Sequence, residues 1–259
     1  MPFIAETGGQ NAMIVDSSAL PEQVVRDVVI SAFQSAGQRC SALRVLFVQD
    51  DIAEKLLTML AGAMEELVVA DPQFLSTDVG PVIDDEAEQM LSKHAERMKR
   101  EAKLLFEVPL AKDRPRGHFF APRAFEISGI NVLEREVFGP ILHVVRYDDA
   151  RLEEVLDSIN AVGYGLTLGI HTRIDGTARR VHERLHVGNT YVNRNMIGAV
   201  VGVQPFGGEG LSGTGPKAGG PRYLHRFATE RTLAVDTTAA GGNASLLSLT
   251  ESGGATPGL

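Results

Sequence analysis

Apolar residues in this chain recur at two spacings, and the two alternate along its length. Short runs that are apolar throughout, or apolar at every second position, are separated by longer segments in which apolar residues return every third or fourth place. "FIAE" (3–6) and "NAMIVD" (11–16) read as strands around the turn "TGGQ". From Pro21, residues Val24, Val25, Val28, Val29 and Phe33 mark a helix, with proline suited to its first turn. "LRVLFV" (43–48) is a strand. Ile52, Leu56, Leu60, Ala63 and Leu67 predict a second helix, and Ala87, Met90, Leu91, Ala95 and Met98 a third with a strongly charged outer face. Strands follow at "KLLFEV" (103–108), "GHFFAPRAFEI" (117–127) and "PILHVVRY" (140–147). Leu152, Val155, Leu156 and Ile159 give a fourth helix, "GLTLGIHT" (165–172) a strand, Ala178, Val181 and Leu185 a fifth helix, and "GNTYVN" (188–193) a last strand. Strand and helix in turn predict an α/β fold, a largely parallel sheet flanked by helices.

Beyond this alternation lie a glycine-rich tract from Gly198 to Gly220 and a small-residue tract from Thr237 to Leu259. The first is interrupted by "QPF" and is not a linker. The last residues, "SGGATPGL", have the composition of a disordered tail. No internal repeat is present.

Composition narrows the class. With 44% hydrophobic and 22% charged residues the chain is an ordinary globular one. A net charge of −8 argues against a nucleic-acid footprint, which needs a dense basic face. A single cysteine excludes an internal disulfide framework and fits a reducing compartment. No apolar run approaches membrane-spanning length, and "MPFIAETGGQ" lacks the features of a secretory leader, so the expectation is a cytoplasmic protein without membrane contact.

Two motif matches fail on context. "GEGLSG" (208–213) fits G-x-G-x-x-G, but "QPFG" before it is no strand and "TGPKAGGP" after it is no helix. "HERLH" (182–186) fits H-E-x-x-H, with His182 and His186 as ligands and Glu183 as base, which would make a zinc hydrolase. Its nearest third ligand, Glu209, lies in the glycine tract. The remaining helix is a plain amphipathic one, and His94, His118, His143, His171 and His225 suggest no cluster, so no metal is expected.

The lone thiol, Cys40 in "SAGQRCSALRV", stands where a helix gives way to a strand. Alone, a free cysteine packs as a small hydrophobe. As a nucleophile it must lose its proton, and the carboxyl end of the preceding helix does not help. Glu6, at the end of the first short strand, could supply the base and later activate water against a thioester. Alone, Glu6 is a solvated turn carboxylate.

"ETGGQNAMIV", "GQRCSA", "EVFGPILHV", "GNTYVN" and "QPFGGEGLSGTG" together resemble, in order and spacing, the aldehyde dehydrogenase superfamily from Glu6 to about Gly215. "CSA", "IGAVVGVQPFGG" and "TTAAGGNASLLSL" narrow the likeness to the L-glutamate-γ-semialdehyde (pyrroline-5-carboxylate) dehydrogenase module of bifunctional proline-utilisation proteins. The resemblance implies NAD-dependent oxidation of that semialdehyde to glutamate, through a thiohemiacetal and a thioester on Cys40, with Glu6 as general base. It implies that Glu136 binds the nicotinamide ribose, that Phe138 packs against the nicotinamide, and that Thr7 and Gly8 approach its amide through backbone atoms. It implies that Ser41, Gly198 and Ala199 hold the substrate's α-carboxylate while Phe206 packs on its stem. The residues themselves support the carboxylate site only in part: a small hydroxyl beside the thiol and a glycine-bearing turn offer donors to an anion. Otherwise the tract reads as a surface loop and Glu136 as a solvated strand-end carboxylate.

The resemblance also sets expectations for organisation. Residues 1–208 form the catalytic α/β domain, 209–236 the rest of a substrate-anchoring loop and a bridging or oligomerisation strand near "HRFATERTLAV", and 237–259 a tail. A homo-oligomer and a fused or upstream flavin-dependent proline dehydrogenase module are implied partners. In the family a long stretch precedes "ETGG", carrying most of the dinucleotide platform and an oxyanion-binding asparagine. Its motifs are not in this sequence, so a truncated chain with little or no turnover of its own is expected. The competing readings are a non-catalytic folding or oligomerisation module of the same origin, and a dehydrogenase for another carboxylated aldehyde.

Overall fold

A computed structural model describes residues 3–111, 116–200 and 202–236. The tail "TTAAGGNASLLSL" and "SGGATPGL" lie outside the described residues. A seven-stranded sheet is built from β1 (Ala12–Val15), β2 (Val45–Gln49), β3 (Lys103–Glu107), β4 (Arg123–Glu126), β5 (Ile141–Tyr147), β7 (Thr167–His171) and β8 (Asn189–Val192), in the order β3-β4-β5-β2-β1-β7-β8. Every pairing in it is parallel except β3 with β4, as expected from the strand–helix alternation. β1 and β2 are buried at every position, which is what "AMIV" and "VLFVQ" require at the centre of a sheet covered on both faces.

The helices are α1 (Pro21–Phe33), α2 (Asp50–Glu65), α3 (Asp85–Glu101), α4 (Leu152–Ala161) and α5 (Asp175–Arg184). α1 opens on Pro21 and buries Val24, Val25, Val28 and Phe33. In α3 the cap is a side chain: Asp84 accepts from the Ala87 N–H at 2.8 Å. Acidic residues fill its first turn, Lys99 and Arg100 its last, and its buried stripe is Leu91, Ala95 and Met98. α2 packs on β2 and β5, α3 on β3 and α5 on β7.

Several sequence expectations shift. "FIAE" is not a strand of the sheet; Glu6 makes one antiparallel bridge to Gly213, because residues 5–7 pair with the 211–214 loop. "GHFFAPRAFEI" narrows to β4, since Pro122 has no N–H for a ladder and residues 118–121 pack instead, with the His118 carbonyl accepting from Val82 N–H at 2.7 Å. "GLTLGIHT" divides into β7 and a two-residue strand, β6 (Tyr164–Gly165), which pairs antiparallel with β9 (Glu209–Gly210). No strand forms in 225–235 among the described residues. The start of this segment is instead a 3-10 turn, Leu224–Phe227.

Two compact units are separable, Met1–Arg226 and Phe227–Leu259. The first holds the whole sheet together with the glycine-rich tract Gly198 to Gly220. No helix among the described residues is long and apolar enough to cross a membrane.

Candidate active site

Because the strands run parallel, their amino ends gather along one edge of the sheet, and the chemistry lies there. Asn11 precedes β1, Cys40 and Arg44 precede β2, Glu136 to Gly139 precede β5, Leu166 precedes β7, and Asn189 opens β8. Open α/β sheets usually bind ligands off the carboxyl ends of their strands, so this placement is not what the strand–helix alternation alone would suggest.

The approach to Cys40 is unusual backbone. After Phe33 the chain passes through Ser35 (φ 56°), Ala36 (φ 52°) and Gly37 (φ 63°). Two consecutive side-chain-bearing residues in the left-handed region store strain, so surrounding contacts must hold them there. Gly37 is obligatory in this position: a Cβ would lie 2.3 Å from the carbonyl oxygen of Gly139. The first helix therefore ends at Phe33, and Cys40 sits on a turn.

Asn11 fixes that turn. Its Nδ2 donates to the carbonyl oxygens of Cys40 at 2.6 Å and Ala42 at 2.9 Å, and its Oδ1 accepts from the Thr167 N–H at 3.2 Å. Its own carbonyl accepts from the Arg44 and Val45 N–H groups. Sequence patterning places Asn11 only as the head of a strand. A buried amide before four apolar residues was the available clue.

Cys40, Ser41, Gly198, Ala199 and Phe206 line one cavity of about 560 Å³, together with Arg39 and Ala218. Thus the thiol and all four residues proposed for the substrate are brought together. Gly198 has φ 74°, the turn conformation expected of an anion-facing glycine. The tract is held over the cavity by reciprocal backbone bonds between Phe206 and Ala218, and by Asn189, whose amide spans Pro205 O and Gly207 N–H. The Met196 N–H donates to Ser31 Oγ of α1 at 3.1 Å, fixing the tract's entry.

Cys40 is exposed, and the partial burial it has at the cavity wall pushes its thiol above the ordinary cysteine value. The Ser41 N–H opposes this, while the charges of Glu136 and Glu6 add to it. Both carboxylates bear on the thiol electrostatically, Glu136 more than Glu6, and neither lines its cavity. Glu6 is exposed. Thr7 is anchored by its N–H to Ser212 O at 3.2 Å and by its hydroxyl to Leu211 O, so its amide is not available to a cofactor.

Glu136 is the most constrained acid of the group. Arg44, 1% exposed, donates from Nε at 3.3 Å and Nη2 at 3.0 Å to Glu136 Oε1. The other oxygen, Oε2, fills the space beside Gly8, where a Cβ would lie 1.7 Å away. Burial raises the Glu136 carboxyl above its ordinary value, against the pull of the Arg44 guanidinium and the Gly9 N–H. Glu136 lines a second cavity of about 590 Å³ with Gln89, Lys93, His94 and Arg97. A carboxylate held in place at a cavity wall is a sound acceptor for sugar hydroxyls, so these residues fit the ribose end of NAD. The Phe138 ring, partly exposed, stacks under the Arg44 guanidinium with Cζ 5.0 Å from its centroid.

The zinc motif does not assemble. α5 ends at Arg184, Leu185 is already extended, and His186 lies beyond the helix, while His182 Nδ1 meets Thr190 Oγ1 at 3.0 Å. The other histidines are less scattered than their spacing suggests. His94 and His143 meet Nε2 to Nε2 at 2.9 Å, and His118 Nδ1 meets Glu88 at 3.0 Å beside Asp85.

Comparison with known proteins places the sequence and the fold. Over 236 residues the chain is 59% identical to the bifunctional protein PutA of Salmonella typhimurium, covering 89% of this chain. It spans only 18% of that protein's length. A crystal structure of a bifunctional proline utilization A (PutA) protein superposes with a TM-score of 0.87 at 63% identity, covering 92% of this chain and 24% of that one. A 1-pyrroline-5-carboxylate dehydrogenase from Thermus with bound NAD superposes with a TM-score of 0.80 at 37% identity, covering 86% of this chain and 43% of that one. The model of the aldehyde dehydrogenase family matches residues 1–233, and the chain belongs to that family.

Proposed function

We propose that this chain carries the nucleophile-bearing part of an NAD-dependent dehydrogenase that oxidises L-glutamate γ-semialdehyde to glutamate in proline catabolism. The observation that carries the reading is the cavity in which Cys40 meets Ser41, Gly198, Ala199 and Phe206. It pairs a thiol with polar groups and a positive-φ glycine suited to a carboxylate, and with an aromatic wall suited to a short aliphatic stem. The names and sequence identities of the PutA and 1-pyrroline-5-carboxylate dehydrogenase relatives support the substrate.

In this mechanism the Cys40 sulfur adds to the aldehyde carbon and its proton ends on the former carbonyl oxygen, forming a thiohemiacetal. NAD, when bound, would supply the acceptor for the hydride on this carbon; as the hydride and the hydroxyl proton leave, the proton to solvent, a thioester remains on Cys40. Glu6 takes a proton from water as the water oxygen attacks the thioester carbon; the C–S bond breaks, Glu6 returns the proton to the Cys40 sulfur, and the carboxylic acid leaves. Ser41, Gly198 and Ala199 orient the substrate's α-carboxylate throughout, and Phe206 covers its stem. Glu136 would accept from the ribose hydroxyls, Phe138 would pack against the nicotinamide, and the backbone at Gly8 and the carbonyl side of Thr7 would approach its amide. A flavin-dependent proline dehydrogenase module in the same polypeptide, homo-oligomerisation and a cytoplasmic location belong to the same proposal.

The test is NAD-dependent oxidation of the semialdehyde by the complete natural polypeptide that carries this sequence, followed by the absorbance of the reduced cofactor. Turnover lost in Cys40→Ser is expected. Ser41→Ala should raise KM for the carboxylated aldehyde and leave KM for an uncharged aldehyde of equal length unchanged. A complete polypeptide that produces no reduced cofactor overturns the reading.

A further inference from the structure

Between the thiol's turn and the Glu136 carboxylate stands one buried cation that sequence patterning assigns only to a strand. Arg44 uses its guanidinium in two directions. One side makes the paired contact with Glu136 Oε1, at 3.0 and 3.3 Å. The other donates to three main-chain carbonyls: Gly37 O at 2.6 Å, Arg39 O at 3.1 Å and Gly139 O at 3.3 Å. Gly37 and Arg39 belong to the strained segment that delivers Cys40, and Gly139 belongs to the "EVFGP" turn that delivers Glu136 and Phe138. Its plane also lies over the Phe138 ring.

A buried guanidinium needs all this compensation, since burial alone favours its neutral form. The fork geometry is specific to arginine: lysine has one nitrogen and cannot reach a carboxylate and three divergent carbonyls from one point. The main chain of residue 44 is fixed too. Its N–H donates to Asn11 O at 3.0 Å and its carbonyl accepts from the His143 N–H at 3.0 Å, so the fork projects from a rigid sheet position.

We propose that Arg44 is a positioning residue that couples the two halves of the site: through Glu136 and Phe138 it sets the cofactor-facing groups, and through Gly37 and Arg39 it sets the turn that presents Cys40. Its cofactor half rests on the assignment of Glu136 to the ribose of NAD; its nucleophile half rests on the contacts alone. Arg44 lines neither cavity and acts through the groups it holds.

Two readouts test this. In the present chain, without cofactor, amide hydrogen exchange over residues 36–42 is measured for wild type, Arg44→Met, Arg44→Lys and Glu136→Gln. Both Arg44 variants should speed exchange in that segment by about tenfold, the effect of losing one strong charge-assisted bond, while β1 and β2 stay protected. Glu136→Gln should leave the segment's exchange as in wild type. In the complete natural polypeptide, Arg44→Lys and Glu136→Gln should each raise KM for NAD about tenfold, and the double variant no further than the larger single change. Arg44→Lys keeps the buried charge and carries the test if Arg44→Met does not fold. Exchange that rises uniformly over the whole chain, or a lysine variant indistinguishable from wild type, overturns the coupling role. Additive effects on KM overturn the link through Glu136. A wild-type polypeptide without NAD-dependent turnover overturns the function reading and the cofactor half with it, and the exchange measurement then decides the nucleophile half.

Discussion

Asn11 and Cys40, 29 residues apart, are joined by a 2.6 Å hydrogen bond from the amide Nδ2 of one to the main-chain carbonyl of the other. The bond fixes the backbone that carries the sulfur and leaves the sulfur itself free. Asn11 thereby converts the rigid start of the central strand β1 into the reference point for Cys40.

Replacing Asn11 with alanine should therefore cost stability as well as alignment. The carbonyls of Cys40 and Ala42 and the N–H of Thr167 lose their partner together, at about 2–4 kcal/mol for the set. Urea unfolding of this chain measures the loss. Asn11→Asp should do worse, because it turns an oxygen toward two carbonyls that need a donor. An aspartate variant as stable as wild type would contradict the assigned amide orientation.

Gly8 and Glu136 predict a coupled pair. A methyl at residue 8 would sit 1.7 Å from Oε2, and the carboxylate cannot simply swing away because Arg44 holds its other oxygen. Gly8→Ala should therefore destabilise by about 1–3 kcal/mol, the usual cost of overpacking. Glu136→Ala removes the obstruction, so adding Gly8→Ala to it should cost measurably less than in wild type. Thermal unfolding of the four proteins closes the cycle; equal costs in both backgrounds would mean that the two residues do not meet.

Much of this architecture was legible in the residues, and the limits have physical causes. The five helices and the parallel core followed from spacing, because burial imposes period on every residue of an element. Cys40, Ser41, Gly198, Ala199 and Phe206 were found by motif, and the fold gathers them at one cavity. Asn11 and Arg44 escaped because their work is long-range: one bonds residues 29 and 31 positions away, the other a carboxylate 92 positions away. A polar residue heading an apolar run, for Asn11, or within one, for Arg44, is the mark each leaves. The "FIAE" segment misled for a related reason, since its apolar pattern is satisfied by a loop rather than a sheet edge.

Acid should weaken the fold through the His94–His143 pair. The Arg44 carbonyl can only accept, so His143 Nδ1, 3.2 Å away, carries its hydrogen, and His143 Nε2 accepts from His94. Burial lowers both imidazoles, to about 4 for His94 and about 3 for His143, with Arg97 beside both and Arg135 and Arg44 adding to the effect on one each. In the unfolded chain each titrates near 6.5. Between these values the unfolded state binds protons that the native state refuses. Stability is therefore full above about pH 6.5 and falls as pH drops, by up to about 1.4 kcal/mol per pH unit for fully buried His143 and by less for the part-exposed His94. Urea midpoints from pH 7 to 4 measure the slope; His143→Gln, which does not titrate, should flatten it. An unchanged slope would place the acid sensitivity elsewhere.

The role of Glu6 can be separated from its mere proximity to Cys40, because its charge and its basicity act in opposite directions. As a charge it holds the thiol up, together with burial and Glu136, so removing it lets the sulfur ionise more readily. At a fixed pH below the thiol's midpoint, Glu6→Gln should speed alkylation of Cys40 by iodoacetamide in this chain, and the midpoint of the pH profile should move down. As a base it is needed only when water attacks the thioester, so the same variant in the complete polypeptide should accumulate an acylated Cys40. Steady turnover should fall by about a hundredfold or more. Intact-mass measurement during turnover detects the adduct. Alkylation slowed in parallel with turnover would mean that Glu6 serves to deprotonate the thiol. An adduct-free enzyme with normal turnover would remove Glu6 from the mechanism.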